Sequence, residues 1–262
     1  MRNFPSEPSI RCSYQWQHQL TQLHLWLAQQ IDPASTPAHA IPTLSDIFLD
    51  GDPATTAEVQ AVLQRTSVGR LSVPEQSWAS PTAASGVSVT AALSDHNTLT
   101  GVHVDRTADC SSEPTQTLPT SAVPHRILAL KHRWHYLVEN PQKDPDAFAE
   151  IAGDPFSMNW GHGGVDGFEE LRTWVRESAA SVSAARHDIT HFEWHTLGNN
   201  SYQAVFDFDW YGFSRNNKPM FAQSRHTWDI QNNPTETFPR LLHMQVAFIT
   251  PFRTVDLNTD LT

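Results

Sequence analysis

Residues 186–212, RHDITHFEWHTLGNNSYQAVFDFDWYG, restrict the fold more than any other stretch, because they read as one long β-hairpin. Two runs rich in β-branched and aromatic residues, 189–196 and 202–211, flank Leu197-Gly198-Asn199-Asn200-Ser201, a turn built of residues that tolerate positive φ. Strict alternation places His187, Ile189, His191 and Glu193 on one face of the first strand, and Asp188, Thr190, Phe192 and Trp194 on the other. In the second strand Val205, Asp207, Asp209 and Tyr211 share a face. Carboxylates inside so aromatic a strand point to a polar pocket, since an ionised group in apolar surroundings must be paired or solvated.

The rest of the chain supplies helices and further strands. Residues 14–31 set Trp16, Leu20, Leu23, Leu27 and Ile31 at helical spacing, and Asp32-Pro33 ends the run. A second helix is expected at 57–65, and strands at 72–77 and 87–93. Residues 107–124 are rich in Ser, Thr and Pro and poor in large apolar side chains, which is linker chemistry, so a domain boundary is placed there between residues 1–106 and 125–262. After it come a helix at 125–140, an apolar run at 156–160 and a Gly-led helix at 167–178 with Phe168, Leu171, Trp174 and Val175 on one side.

The two halves repeat the same order. His24-Leu25-Trp26 stands opposite His132-Arg133-Trp134, and Val59, Val62 and Leu63 stand opposite Leu171, Trp174 and Val175. Arg70 and Trp78 in RLSVPEQSW match Arg186 and Trp194 in RHDITHFEW at one internal spacing. A period of roughly a hundred residues implies duplicated domains rather than a solenoid. The first copy loses the polar positions, with Leu71 opposite His187 and Ala91 and Leu93 opposite Asp207 and Asp209.

Charge and composition narrow the partners. The 28 acidic and 17 basic side chains give a formal charge of −11, and the Lys and Arg residues do not cluster, so neither nucleic acid nor an anionic membrane is an expected partner. There is no apolar run of about 18 residues and no signal-like start, which suits a cytoplasmic protein. Cys12 and Cys110 make neither a zinc set nor a disulfide framework. His187, His191 and His195 recur every four residues, but on a strand they spread too far to close on one ion, so no metal is expected. GHGGVDG lacks the strand, Gly-rich loop and helix register of a phosphate cradle and reads as a loop with His162 and Asp166 at a pocket rim. No cofactor is expected.

Residues 125–253 resemble the nuclear-transport-factor-two-like superfamily in its SnoaL-like branch. The resemblance rests on the order of HRWHYLVEN, MNWGHGG, GFEELRTWV, RHDITHFEW, the long hairpin, SRHTWDI and LLHMQVAF. It implies an α+β cone, a curved antiparallel sheet wrapped around a long helix with a pocket between them. With a degenerate N-terminal copy the chain would be a tandem duplication arranged as an intrachain pseudo-dimer, either monomeric or a homodimer. Members include polyketide cyclases, ketosteroid isomerases, scytalone dehydratases and epoxide hydrolases, and also proteins without catalysis.

The resemblance makes His187 an inward histidine suited to acid–base work near neutral pH, or else a histidine satisfied at a strand start. Asp207 and Asp209 are either a pocket base with raised pKa or polar positions on a half-exposed strand, partnered by Arg225. Trp134, Trp160, Trp210 and Trp228 line a pocket for a flat ligand or form core. His162, His191, Tyr211 and Arg225 complete the expected ligand-facing set. The expected function is binding of a small hydrophobic, aromatic or polyketide-like molecule in the C-terminal cone, with isomerase, cyclase or dehydratase chemistry. The alternative is a non-catalytic ligand-binding or interaction scaffold with a vestigial pocket.

Overall fold

The structure, a computed structural model, describes residues 4–31, 70–72, 77–79, 87–93, 99–106 and 122–256. The expected helix at 57–65 and most of the 107–124 stretch lie outside the described residues. The chain divides into two units, one of residues 1–18, 130–233 and 238–262, the other of residues 19–129 and 234–237. Residues 1–18 therefore fold with the C-terminal half, which a boundary drawn from linker composition does not capture.

The first unit is α+β. A short helix α1 (Glu7–Arg11) precedes α2 (Ser13–Ile31), which passes into the second unit after His18. Helix α3 (Val123–Glu139) returns to the first unit from Leu130 onward. Pro141 stops α3, and Asp144 caps the 3-10 turn Pro145–Glu150 by accepting from the Asp146 amide at 3.0 Å. Strands β5 (Ala152–Trp160) and β6 (Gly163–Asp166), helix α4 (Phe168–Ser181), and strands β7 (Val182–Gly198), β8 (Ser201–Ser214), β9 (Pro219–Gln231) and β10 (Arg240–Thr254) follow.

The six strands form one mixed sheet in the order β6-β5-β10-β9-β8-β7, antiparallel except where β10 lies parallel to β5. Irregular register in β7 and β10 interrupts both long strands at three places each, and such bulges bend and twist a sheet. Trp134 of α3 packs against Phe156, Trp228 and Trp174 with ring centroids 6.0, 6.1 and 6.4 Å away, while His135 meets Phe208 at 4.9 Å. Leu171 and Val175 bury one side of α4.

The β7–β8 hairpin turns on Asn199 and Asn200, with φ of 51° and 58°, preceded by Gly198 at 91°. Two consecutive positive values match the primed two-residue turn whose twist suits paired strands. The strands run longer than the periodicity alone shows, because the small residues 182–185 extend β7 backward.

The second unit contains β1 (Arg70–Ser72), β2 (Ser77–Ala79), β3 (Val87–Leu93) and β4 (Leu99–Arg106) as a four-stranded sheet in that order. Leu71 pairs with Trp78, so β1 and β2 form a hairpin where one strand was expected across 72–77. The segment matched to 186–194 thus folds back on itself, whereas 186–194 runs within a single strand. His24 and His125 face each other in this unit with their Nδ1 atoms 3.2 Å apart.

Candidate functional site

The first unit holds a cavity of about 260 Å³ between α3, α4 and the sheet. Trp134, Trp160, Trp174 and Trp210 supply aromatic wall, Met158, Met244 and Val246 aliphatic wall, and Phe248 and Phe252 lie at its edge, half exposed. Its polar atoms come from His135, His187, Ser224, His226, Lys143 and Ser178. An apolar concavity with a few convergent polar groups is the ordinary form of a small-molecule site.

His187 is the best-oriented of these groups. Glu139, at the last turn of α3, has a fully buried side chain, and its Oε1 accepts from the His187 Nδ1–H at 2.9 Å and from the His187 backbone N–H at 2.9 Å. A carboxylate can only accept from the ring, so the proton is fixed on Nδ1 and Nε2 is left as the basic nitrogen. Gln17 of α2 donates to the same Glu139 oxygen at 3.2 Å, and its own oxygen lies 3.4 Å from Lys131 Nζ and 2.7 Å from His132 Nδ1. Lys131 is buried, and that burial pushes its ammonium down to about 7 against the pull of Glu139 and Asp188.

The neighbouring histidines are held neutral. His135 donates from Nδ1 to the Lys131 carbonyl at 2.9 Å, and its ring centre lies 4.3 Å from that of His187. Burial, then the charges of His187 and Lys131, hold its pKa well below the usual 6.5. His226 has Nε2 at 3.0 Å from Ser224 Oγ, and burial, then His187 and Lys131, push it down to about 3. His187 is accordingly flanked by two neutral rings that cannot compete for its proton.

The carboxylates of the hairpin lie elsewhere. Asp207 makes a bidentate pair with Arg225 at 2.7 and 2.8 Å, which lowers its pKa, and neither residue lines the cavity. Asp209 is buried on that same outer face, accepting from Gln223 at 2.9 Å and Tyr211 at 3.4 Å. Beside it Asp188 accepts from Arg186 at 2.8 Å, and Arg186 also meets Ser9. Tyr211 and Phe213 are covered there by Ile10 and Phe4. His187 and the two aspartates are not brought together, because β7 and β8 present them on opposite faces.

A bulge explains part of the difference. Ile189 pairs with Phe208 and His191 with Asp207, leaving Thr190 without an opposite residue. Beyond it the alternation inverts: Phe192 stacks on buried Phe206 at 5.0 Å, while His191, Glu193 and His195 are exposed. Of the other expected ligand contacts, Trp134 and Trp160 line the cavity, His162 is exposed on the β5–β6 turn, and Trp228 is fully buried behind the wall against Trp134 and Phe206. Glu139, His135, His226 and Lys143 escaped the sequence reading. The signal for two of them was His135 and Glu139 four residues apart on one face of α3, with Lys131 a turn earlier. Among the described residues no group of three or more His, Cys, Asp or Glu is placed to hold a metal, and no helix is long and apolar enough to cross a membrane.

No family model matches the sequence, and no curated protein matches it. Solved structures do match over about half the chain. A nuclear transport factor 2 superfamily protein from Salmonella enterica is 19% identical with a TM-score of 0.43, over 52% of this chain and 96% of its own. Hexachlorocyclohexane dehydrochlorinase LinA-type3 from Novosphingobium barchaimii is 14% identical with a TM-score of 0.45, over 51% and 90%. An uncharacterized protein with a cystatin-like fold from Caulobacter vibrioides is 18% identical with a TM-score of 0.40, over 48% and 89%. The chemistry of the site rests on its own geometry.

Proposed function

We propose that the protein binds a small aromatic molecule in the C-terminal cavity and moves a proton on it, with His187 as the acid–base group and Glu139 as its orienting carboxylate. The observation that carries this reading is the 2.9 Å bond from His187 Nδ1 to a carboxylate that is itself wholly buried. Glu139 takes the place that sequence reasoning gave to Asp207 or Asp209.

The chemistry that suits one basic nitrogen in an aromatic pocket is abstraction of a C–H proton next to a carbonyl. His187 Nε2 takes the proton, the C–H electron pair passes into the enolate, and the imidazolium returns the proton at the same or a conjugated carbon. Burial of Glu139 strengthens its attraction for the imidazolium formed midway. The tandem part of the reading, a degenerate N-terminal cone paired with this one, is also a proposal. The order of helix and then antiparallel strands in 13–106 supports it, and the β1–β2 hairpin counts against it.

The test follows deuterium exchange at the α-carbon of bicyclic aromatic ketones such as 2-tetralone in D2O by NMR. The wild type should accelerate exchange, and His187→Gln should reduce it by about 10²–10⁴ at unchanged fold. Binding without any acceleration above the His187→Gln level would leave a binding module and end the catalytic reading.

A further inference from the structure

Resting on that reading, we propose that Lys143, steadied by Ser178, reads an anionic oxygen, so that the ligand is a one- or two-ring aromatic carrying a carboxylate. The cavity of about 260 Å³ lies just below the range of ~300–1,000 Å³ usual for ligand pockets, which limits the ligand to a small ring system.

Lys143 is where a charge-reading group would have to be. It lies between Pro141, which ends α3, and the Asp144-capped 3-10 turn, so its backbone is held by structure on both sides. Its side chain lies beside two concavities, but its Nζ is 3.3 Å from Ser178 Oγ, and Ser178 lines only the aromatic one. The Ser178 hydroxyl donates to the Val175 carbonyl at 2.9 Å, so it receives the ammonium with a lone pair. One of three N–H donors is thereby used and two are left.

Among the described residues no carboxylate is hydrogen-bonded to this cation. Among the described residues Lys143 forms no ion pair, and its one hydrogen-bond partner is the neutral Ser178. Glu139, the acid whose charge bears on it, is already engaged by His187 and Gln17. Burial pushes the Lys143 ammonium down from 10.5, with Glu139 opposing. A half-buried cation that makes no ion pair is stabilised by a ligand that brings an anion into contact with it. The other cavity-lining polar groups are neutral His135 and His226, Ser224 and His187, whose Nδ1 is held by Glu139, so a cation for a carboxylate stands at Lys143.

The experiment compares 2-naphthoate with its neutral isostere 2-naphthamide, using quenching of the four cavity tryptophans. Wild type should bind naphthoate about tenfold or more tightly than naphthamide, the ratio expected of a charge-assisted hydrogen bond. Lys143→Met should bind the two alike, Lys143→Arg should keep the preference, and His187→Gln should keep it too. Loss of the preference in His187→Gln with its retention in Lys143→Met would put the anion at the histidine and overturn the assignment. Equal wild-type binding of both probes, or equal loss of both in Lys143→Met, would overturn it as well. Because these are equilibrium binding ratios, they hold or fail whether or not ketone exchange is ever catalysed.

Discussion

Glu139 Oε1 accepts two hydrogen bonds from one residue, the backbone N–H and the imidazole Nδ1–H of His187, each at 2.9 Å and across a sequence separation of 48. The pairing ties the C-terminal turn of α3 to the first half of β7 and fixes the histidine tautomer in the same act. Orientation and folding are therefore coupled at this point, and substitutions should separate them.

Glu139→Gln keeps an acceptor oxygen of similar reach but no charge. The variant should stay folded, with a stability loss of about 1–3 kcal/mol from the weakened buried bonds. Nitrogen-15 shifts of His187 should move from one tautomer to a mixture, and ketone exchange should fall by about tenfold or more. Wild-type shifts and rates in Glu139→Gln would show that the carboxylate does not orient the ring.

Asp207→Asn isolates the carboxylate that the hairpin pattern made conspicuous. Arg225 is about half exposed, so solvent screening leaves the pair contributing little to stability. The Asp207 pKa is lowered from 3.8, first by the Arg225 hydrogen bond, so its contribution is present above that value and is lost as pH falls through the lowered one. The stability gap between wild type and Asp207→Asn should be flat from pH 7 to 5 and close below about 4, while naphthoate affinity stays unchanged. A loss of ligand affinity in Asp207→Asn would return this residue to the site.

The elements of the first unit were legible because their signals are local. Asn199-Asn200 specifies the hairpin turn, Pro141 ends α3, and the apolar spacing of Leu171 and Val175 sets the buried side of α4. The site was less legible because its decisive contact is not local. Glu139 lies in a helix whose buried face is crowded with Lys131, His132 and His135, and nothing in that pattern says which strand it will meet. Face assignment along β7 failed for a different reason: period-two reasoning carries no mark of a single unpaired residue at Thr190.

That bulge can be removed. Deleting Thr190 leaves Ile189 opposite Phe208 and His191 opposite Asp207 as consecutive pairs, so the alternation becomes unbroken while Phe192 stays against Phe206 and Trp194 against Tyr202. The faces beyond the bulge are kept, so the deletion should cost no more than about 2 kcal/mol by chemical denaturation. Thr190→Ala, which keeps the extra residue, should cost less than about 1 kcal/mol. A loss of about 4 kcal/mol or more on deletion would mean that Thr190 is not the extra residue and that its removal shifts the register.

His226 governs the acid side of stability. Its folded pKa is about 3 against an ordinary 6.5, because a buried ring facing His187 and Lys131 resists a second charge. Between those values the unfolded chain holds a proton that the folded chain does not, so stability is complete above about 6.5 and declines as pH falls toward 3. Each such group contributes a slope of up to about 1.4 kcal/mol per pH unit. His226→Gln keeps a partner for Ser224 and cannot be protonated, so its stability curve should be shallower by up to one proton across this window while matching wild type in shape above pH 7. His135, lowered for the same reasons, remains in the variant, so part of the acid decline should persist. An undiminished slope in His226→Gln would show that the ring is solvated, and protonated, in the folded protein.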